Sequence, residues 1–204
     1  LVGTEFSKAL GLSLDIPVIE VNHMQAHLLV HYIKSNKKKP DFPFLGITVS
    51  GGHTQFVIVE NHLRMKIIGE TLDDAIGEAF DKCGKIIGLD YPAGPEIDKL
   101  AKEGNSNKFD FPIPKVEGFD ISYSGIKTAF MNFINNSIQK DVDFIQNNKN
   151  DICASIQKNL IENLILKIEY ASKIKSINRI VIGGGVSANS LLKDSIELKS
   201  KDNN

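Results

Sequence analysis

At 204 residues, 42% of them apolar, the chain can bury a substantial core but is short for two complete α/β domains, so one domain plus part of another is expected. A formal net charge of -1 excludes a global positive field able to hold nucleic acid unaided. An RNA substrate would need a partner or a local patch, for which Lys37-Lys38-Lys39 and the lysine-rich stretch 193–201 are candidates, solvated surface being their plainer reading. The two cysteines, Cys83 and Cys153, are far apart without a paired spacing, which predicts reduced thiols in helix cores. With no apolar run of membrane-spanning length and no basic-then-apolar leader, a soluble cytoplasmic protein without a membrane partner is expected.

In chain order, residues 1–14 read as the end of an amphipathic helix and 16–21 as a short buried strand; Asn22 caps a helix running to about residue 35. A charged loop follows at 36–43. The patterns at 44–49, 54–60 and 63–69 predict an antiparallel meander of strands. Thr71-Leu72-Asp73-Asp74 caps a helix to Ile87 that Gly88 stops, and Tyr91-Pro92-Ala93-Gly94-Pro95 opens another to about Glu103. Residues 105–118 are polar and proline-bearing and read as loop. From Ser124 to Ile177 the chain is mostly helical, with an interruption at 141–150. A buried strand at 179–182 runs into Gly183-Gly184-Gly185, and Ser187 or Asn189 begins the last helix.

Four constellations carry chemistry. The turn Val49-Ser50-Gly51-Gly52-His53-Thr54-Gln55, between apolar strand-like runs, exposes backbone N–H groups and small hydroxyls with no Cβ in the way, which suits a phosphate; an ordinary hairpin is the alternative. His23 and His27 are at i and i+4, so on a helix both imidazoles can reach one metal ion, whereas His31 is rotated off that face. The helix beginning near Asp73 carries Asp74, Glu78 and Asp81 as an acidic stripe opposite an apolar one, with a Glu78–Lys82 pair as the bland reading and Asp73 as a first-turn residue. Finally, Gly183-Gly184-Gly185 before Asn189 lets a flat ring or a phosphate approach the main chain, although the G-x-G-x-x-G pattern is not met. Ser124 and Lys127, in Ser122-Tyr123-Ser124-Gly125-Ile126-Lys127-Thr128, could lie near a phosphate from a supporting position.

Taken together these stretches, with Val21-Asn22-His23-Met24-Gln25-Ala26-His27, Gly69-Glu70-Thr71-Leu72-Asp73-Asp74-Ala75, Gly77-Glu78-Ala79-Phe80-Asp81-Lys82 and Gly88-Leu89-Asp90-Tyr91-Pro92-Ala93-Gly94-Pro95, resemble the tRNA N6-adenosine threonylcarbamoyltransferase family, once labelled O-sialoglycoprotein endopeptidases. They span nearly the whole chain in that family's order. The resemblance implies an α/β actin-like ATPase fold of the sugar-kinase, Hsp70 and ribonuclease H-like type, incomplete at both ends, with residues 1–36 ending one lobe and 37–204 forming a truncated second lobe. It implies transfer of threonylcarbamoyl from threonylcarbamoyl-adenylate to N6 of adenosine 37 in tRNAs reading codons that begin with A.

By the same resemblance, His23 and His27 are two ligands of an iron or zinc ion. Thr48, Val49, Ser50, Gly51 and Gly52 form the phosphate-side segment, Asp81, Gly94 and Asp98 contact the nucleoside, and Asn189 contacts the adenosine. Asp81 is the catalytic candidate, for binding first and for proton acceptance second. Tyrosine, a metal ligand in some archaeal members, is replaced by Thr48, and Ala93 stands where many members have glycine. The family's amino-terminal phosphate hairpin and its carboxy-terminal Thr-Asp-Asn segment, source of the third metal ligand, find no match, so a central fragment, inactive alone, is expected. Implied partners are tRNA, an accessory paralogue, an ATPase subunit and a separate synthase for the adenylate. The alternatives are a sugar-kinase-like phosphotransferase and an Hsp70-like nucleotide-binding protein. A metallopeptidase is weakest, because Met24 stands where its general base would be.

Overall fold

The computed structural model describes residues 2–33 and 39–202. Lys37, Lys38 and the expected end of the second helix at 34–35 lie outside the described residues. The ordered elements are α1 (Val2–Leu14), α2 (His23–Leu29), β1 (Phe44–Val49), β2 (Thr54–Asn61), β3 (Arg64–Glu70), α3 (Ile76–Ile86), α4 (Gly94–Ala101), α5 (Ser124–Ile138), α6 (Phe144–Lys175), β4 (Ile180–Gly183) and α7 (Ser190–Asp202). The strands form one sheet in the order β3-β2-β1-β4, antiparallel except for the β1–β4 pair, which is parallel. No helix among the described residues is long and apolar enough to cross a membrane.

β1 is buried along its whole length because it is central and covered on both faces. Its Leu45, Ile47 and Val49, with Phe56 of β2, enter the main core with residues of α3 to α7. On the other face Phe44, Val57, Val59 and Val181 meet Leu28 of α2. Gly46 makes that contact possible, since a Cβ there would lie 2.6 Å from Leu28 Cδ1. Both cysteines are buried in helices, as expected, and burial pushes each thiol up to about 12.

Two sequence expectations are corrected here. Residues 16–21 form no strand and stand exposed, Ile19 at 83% and Val21 at 69%. An apolar run makes a buried strand only when sheet neighbours flank it, and the described sheet places none beside this one. The segment 71–74 does not cap α3, and Asp74 precedes the helix instead of joining a stripe on it. The helix begins after Ala75, which offers no side-chain cap. Thr54, on the strand returning from the glycine turn, accepts the Ile76 N–H at 2.9 Å through Oγ1, so the cap comes from 22 residues away.

The reason is that both aspartates have stronger partners. Asp73 accepts from the hydroxyls of Ser122 at 2.6 Å and Ser124 at 2.5 Å and from the Tyr123 N–H at 2.8 Å. Burial pushes its carboxyl up, but these hydrogen bonds outweigh that and hold it below its ordinary value. Asp74, 8% exposed, accepts from Lys82 at 2.5 Å and Lys127 at 2.9 Å, and the two ammonium groups likewise bring it below its ordinary value against the effect of burial. Ser124 and Lys127 therefore serve this junction, which ties the start of α5 to the approach to α3.

α6 organises the remainder. It carries a polar row at i, i+4 spacing, Asp151, Ser155, Asn159, Asn163 and Lys167, beside the buried apolar face that Ile152, Ile156, Leu160 and Leu164 give to the core. Asp151 accepts from Asn105 N–H, Ser155 from Phe109 N–H and Asn159 from Phe111 N–H, at 2.8, 3.2 and 3.0 Å. Asn163 donates to the Ser122 carbonyl, and Lys167 to those of Val116 and Gly118. This row holds the strandless 105–122 stretch against the helix.

Because the folded carboxyls of Asp73 and Asp74 lie below the ordinary 3.8, they bind fewer protons than in the unfolded chain near that pH. Their stabilisation is full above the unfolded value and is lost as pH falls through the folded values. Asp74→Asn should cost about 2 kcal/mol near neutral pH and progressively less below about pH 4, read from thermal melts of wild type and variant across that range. A difference independent of pH would contradict this account.

Candidate functional site

The glycine turn forms as the residue types require. Ser50 Oγ accepts from the N–H groups of Gly52 at 3.3 Å and His53 at 3.0 Å, and Ser50 N–H donates to the His53 carbonyl. The first turn of α3 rests directly on this loop: Gly77 N–H donates to the Ser50 carbonyl at 3.2 Å, and a Cβ on Gly77 would fall 2.7 Å from that oxygen. The electropositive end of α3 is thereby brought to the turn.

The second glycine bend meets the first. Gly184, at φ +102°, sits so close to the end of β1 that a Cβ would be 2.3 Å from the Val49 carbonyl oxygen. Gly183 stands against α2, where a Cβ would be 2.3 Å from the His27 carbonyl oxygen and 3.3 Å from His27 Cβ. Asn22 caps α2 by accepting from the N–H groups of Met24 and Gln25. Its two histidines lie side by side, ring centroids 4.6 Å apart. Residues remote in sequence, His27, Val49 and Gly183-Gly184, thus occupy one locality.

Beside them opens a cleft of about 430 Å³, lined by Gly51, Asp81, Gly94, Asp98 and Asn189 among others, with Phe80 also on its wall. Each wall residue is fixed. Asp81 accepts the Ala93 N–H at 2.8 Å through Oδ1. Ala93 is accommodated by Gly84, whose missing Cβ would lie 2.2 Å from Ala93 Cβ. Asp98 accepts from Ser190 Oγ at 2.7 Å and from Ser190 N–H. Asn189 donates to Gln157 at 2.9 Å and accepts the Leu192 N–H at 3.0 Å, so it caps α7 after the short helical turn Gly185–Ala188. The last helix therefore starts later than Ser187.

Of the expected nucleotide contacts, Thr48, Val49, Ser50 and Gly52 do not line this cleft. Thr48 and Val49 are fully buried in β1, with the Thr48 hydroxyl finding no hydrogen-bond partner among the described residues, while Ser50 is occupied with the turn. Glu78 and Lys82 pair at 2.8 Å, as the bland reading held. Sequence reasoning passed over Tyr91 and Gln157. Tyr91 stood in a quoted turn and is 85% exposed at the lip of the cleft. Gln157 had no signal beyond its place on α6. Two imidazoles are a suitable donor pair for iron or zinc. No group of three or more histidine, cysteine, aspartate or glutamate side chains placed to hold a metal occurs among the described residues.

Comparison with known proteins bears on this arrangement. The chain is 54% identical to a tRNA N6-adenosine threonylcarbamoyltransferase of Riemerella anatipestifer over 197 residues, 96% of this chain and 58% of the relative. It is 55% identical to one of Cytophaga hutchinsonii over 199 residues, 98% of this chain and 57% of the relative. It thus spans a little over half the length of these curated relatives. The crystal structure of full-length HypF in its phosphate- and nucleotide-bound form superposes with a TM-score of 0.65 at 16% identity, covering 95% of this chain and 40% of that one. Component A of the (R)-2-hydroxyglutaryl-CoA dehydratase of Acidaminococcus fermentans gives 0.52 at 16% identity, covering 92% and 62%. These likenesses agree with the actin-like ATPase fold expected from the sequence. The family model for tRNA N6-adenosine threonylcarbamoyltransferase matches residues 1–204, and the chain belongs to that family.

Proposed function

We propose that this chain forms the central part of an enzyme that moves a threonylcarbamoyl group from threonylcarbamoyl-adenylate to the N6 amine of an adenosine beside the tRNA anticodon. The observation that carries the reading is the meeting of both glycine bends with the histidine helix, Gly184 on Val49 and Gly183 on His27, beside a nucleotide-sized cleft. In this reading the Gly51 amide and the first turn of α3 meet the adenylate phosphate, while the Ser50 and Gly52 amides, which donate within the turn, hold Gly51 in place. Asp81, Gly94, Asp98 and Asn189 shape the nucleoside end. HypF, solved with phosphate and nucleotide, lends the fold a precedent for such ligands.

The amine nitrogen bonds to the carbamoyl carbon, the bond from that carbon to the phosphate oxygen breaks, and AMP leaves with the electron pair. Asp81, fixed through Oδ1, keeps its second oxygen for the nucleoside first, with acceptance of the proton that the amine releases as its second role. His23 and His27 would hold an iron or zinc ion, which supplies Lewis-acid polarisation of the carbamoyl or phosphate oxygens when bound. Because turn and helix are positioned before substrate arrives, orientation carries much of the rate.

We assign residues 1–36 to the end of a preceding lobe and 37–204 to a second lobe. In support, α1 is exposed apart from Gly11; against a clean break at 36, Leu28 packs α2 into the sheet of the second lobe. An accessory paralogue, an ATPase subunit and a cytoplasmic location belong to the same proposal, and the buried thiols suit a reducing compartment.

The decisive assay supplies the full-length protein with the adenylate, its partners and unmodified tRNA, followed by nucleoside analysis. N6-threonylcarbamoyladenosine is the expected product; ATP hydrolysis or sugar phosphorylation without it would favour the kinase-like or Hsp70-like reading. In the same protein His23→Ala/His27→Ala should lose bound metal and about two orders of magnitude or more in transfer rate. Full activity in a metal-free double variant would remove the metal from the reaction. Gly183→Ala, which pushes a Cβ toward the His27 carbonyl, should weaken metal binding about tenfold in a titration, and an unaltered affinity would uncouple α2 from the glycine bend.

A further inference from the structure

Most buried polar side chains of this core have a task already described. Thr54 caps α3, Asp74 holds two lysines, and Ser155, Asn159 and Asn163 grip the 105–122 stretch. Gln157 does not belong to these. It is 4% exposed on α6, and two residues from Ser155 places it about 200° around the helix, turned away from the polar row. A buried amide is costly unless it is hydrogen-bonded, and this one meets Asn189, whose Nδ2 donates to Gln157 Oε1 at 2.9 Å.

The Asn189 amide is pinned at both ends. A main-chain N–H can only donate, so the Leu192 N–H at 3.0 Å faces Oδ1, and Nδ2 is left toward α6, where it needs an acceptor. Gln157 Oε1 is that acceptor and takes one of the two Nδ2 hydrogens. The other is free for a ligand. Donors are scarce here: among the described residues lining the cleft, Asp81 and Asp98 bring carboxylates, and the side chains with a donor are Asn189 and Tyr91. The ring nitrogens of a purine that carry no hydrogen are acceptors and require such a donor. The loop itself is tied down, because Ser190 donates to Asp98 of α4 through both its N–H and its hydroxyl.

We propose that Gln157 is a positioning residue for base recognition: it fixes the plane of the Asn189 amide so that the remaining Nδ2 hydrogen meets an unprotonated ring nitrogen of the bound adenine. This rests on the reading of the cleft as the nucleotide site and adds the residue that sets its preference. The Leu192 N–H alone leaves the amide free to pivot about its oxygen, and the second bond, at the nitrogen, removes that freedom. What position 157 must supply is an acceptor. Glutamate therefore replaces glutamine and methionine does not, although all three suit a helix equally well.

The test titrates the full-length protein with AMP and with its 1-deaza, 3-deaza and 7-deaza analogues, each of which replaces one ring nitrogen by C–H. Wild type should bind one analogue about tenfold more weakly than AMP. Gln157→Met should weaken AMP about fivefold and bind that analogue as well as AMP, whereas Gln157→Glu should keep the wild-type ratio. The ratio is taken within one variant, so a general loss of stability leaves it unchanged. Asn189→Ser retains an oxygen to cap α7 but has no amide hydrogen, and in that background Gln157→Met should have no further effect on AMP. An unchanged ratio in Gln157→Met, a ratio lost equally in Gln157→Glu, or an effect of Gln157→Met that persists beside Asn189→Ser overturns the assignment. Wild type that binds AMP without discriminating any analogue overturns it too. Wild type that binds no AMP overturns the nucleotide reading of the cleft and the assignment with it. If the ratios behave as expected but the complete system forms no modified nucleoside, the role of Gln157 stands and the transfer reading fails.

Discussion

At Gly183 and Gly184 the main chain comes so close to itself that no side chain fits between. The end of β1 presses on Gly184 and the end of α2 presses on Gly183, each with the carbonyl oxygen 2.3 Å from where a Cβ would be. Everything assigned to the site follows from this absence of atoms. It lets the loop after β4 turn over the end of β1, sets the histidine helix above the same edge, and leaves the cleft between that loop, α3 and α4. β1 and β4 run parallel and end on the same edge of the sheet, and glycine brings both bends to that edge.

Around this point the molecule adds remote partners to its local caps Asn22 and Asn189. Thr54 caps α3 from the hairpin, Asp73 takes up the start of α5, and Asp98 receives Ser190 from α7. Each bond spans a long stretch of sequence and joins elements that border the cleft. Buried charge is handled in the same way: Asp74 is compensated by two lysines from different helices, so the junction between α3 and α5 is electrostatically closed before any ligand is considered.

Much of this was legible in the residues. The meander, the glycine turn, Asn22 as a cap, both long helices and the strand before Gly183 follow from periodicity and turn chemistry, and the structure places them within a few residues of expectation. The motif order carried the family, which single motifs could not. Residues 16–21 misled because alternation and β-branching describe a strand's chemistry and not the presence of a neighbour to pair with. The segment 71–74 misled because its aspartates satisfy the local rule for a helix start, while hydroxyls and ammonium groups 50 or so residues away compete more strongly. The row on α6 was within reach, since Asp151, Ser155, Asn159, Asn163 and Lys167 recur at helical spacing; what it grips could not be read, because the loop's main chain has no sequence signature. Of the site, glycines and histidines announced themselves, whereas Tyr91 and Gln157 gained their positions from packing alone.

The row on α6 holds the 105–122 stretch mainly through peptide groups, the N–H of residues 105, 109 and 111 and the carbonyls of 116, 118 and 122, with side-chain bonds added by Lys108 to Asp151 and by Asn159 to Asp110. Any amino acid other than proline offers the same N–H, and every amino acid offers the same carbonyl. Much of the path of this segment is thus encoded in the helix that grips it, and its outward side chains other than Asn107, Lys108 and Asp110 are released to drift, so relatives could decorate this surface for different neighbours without disturbing the scaffold behind it.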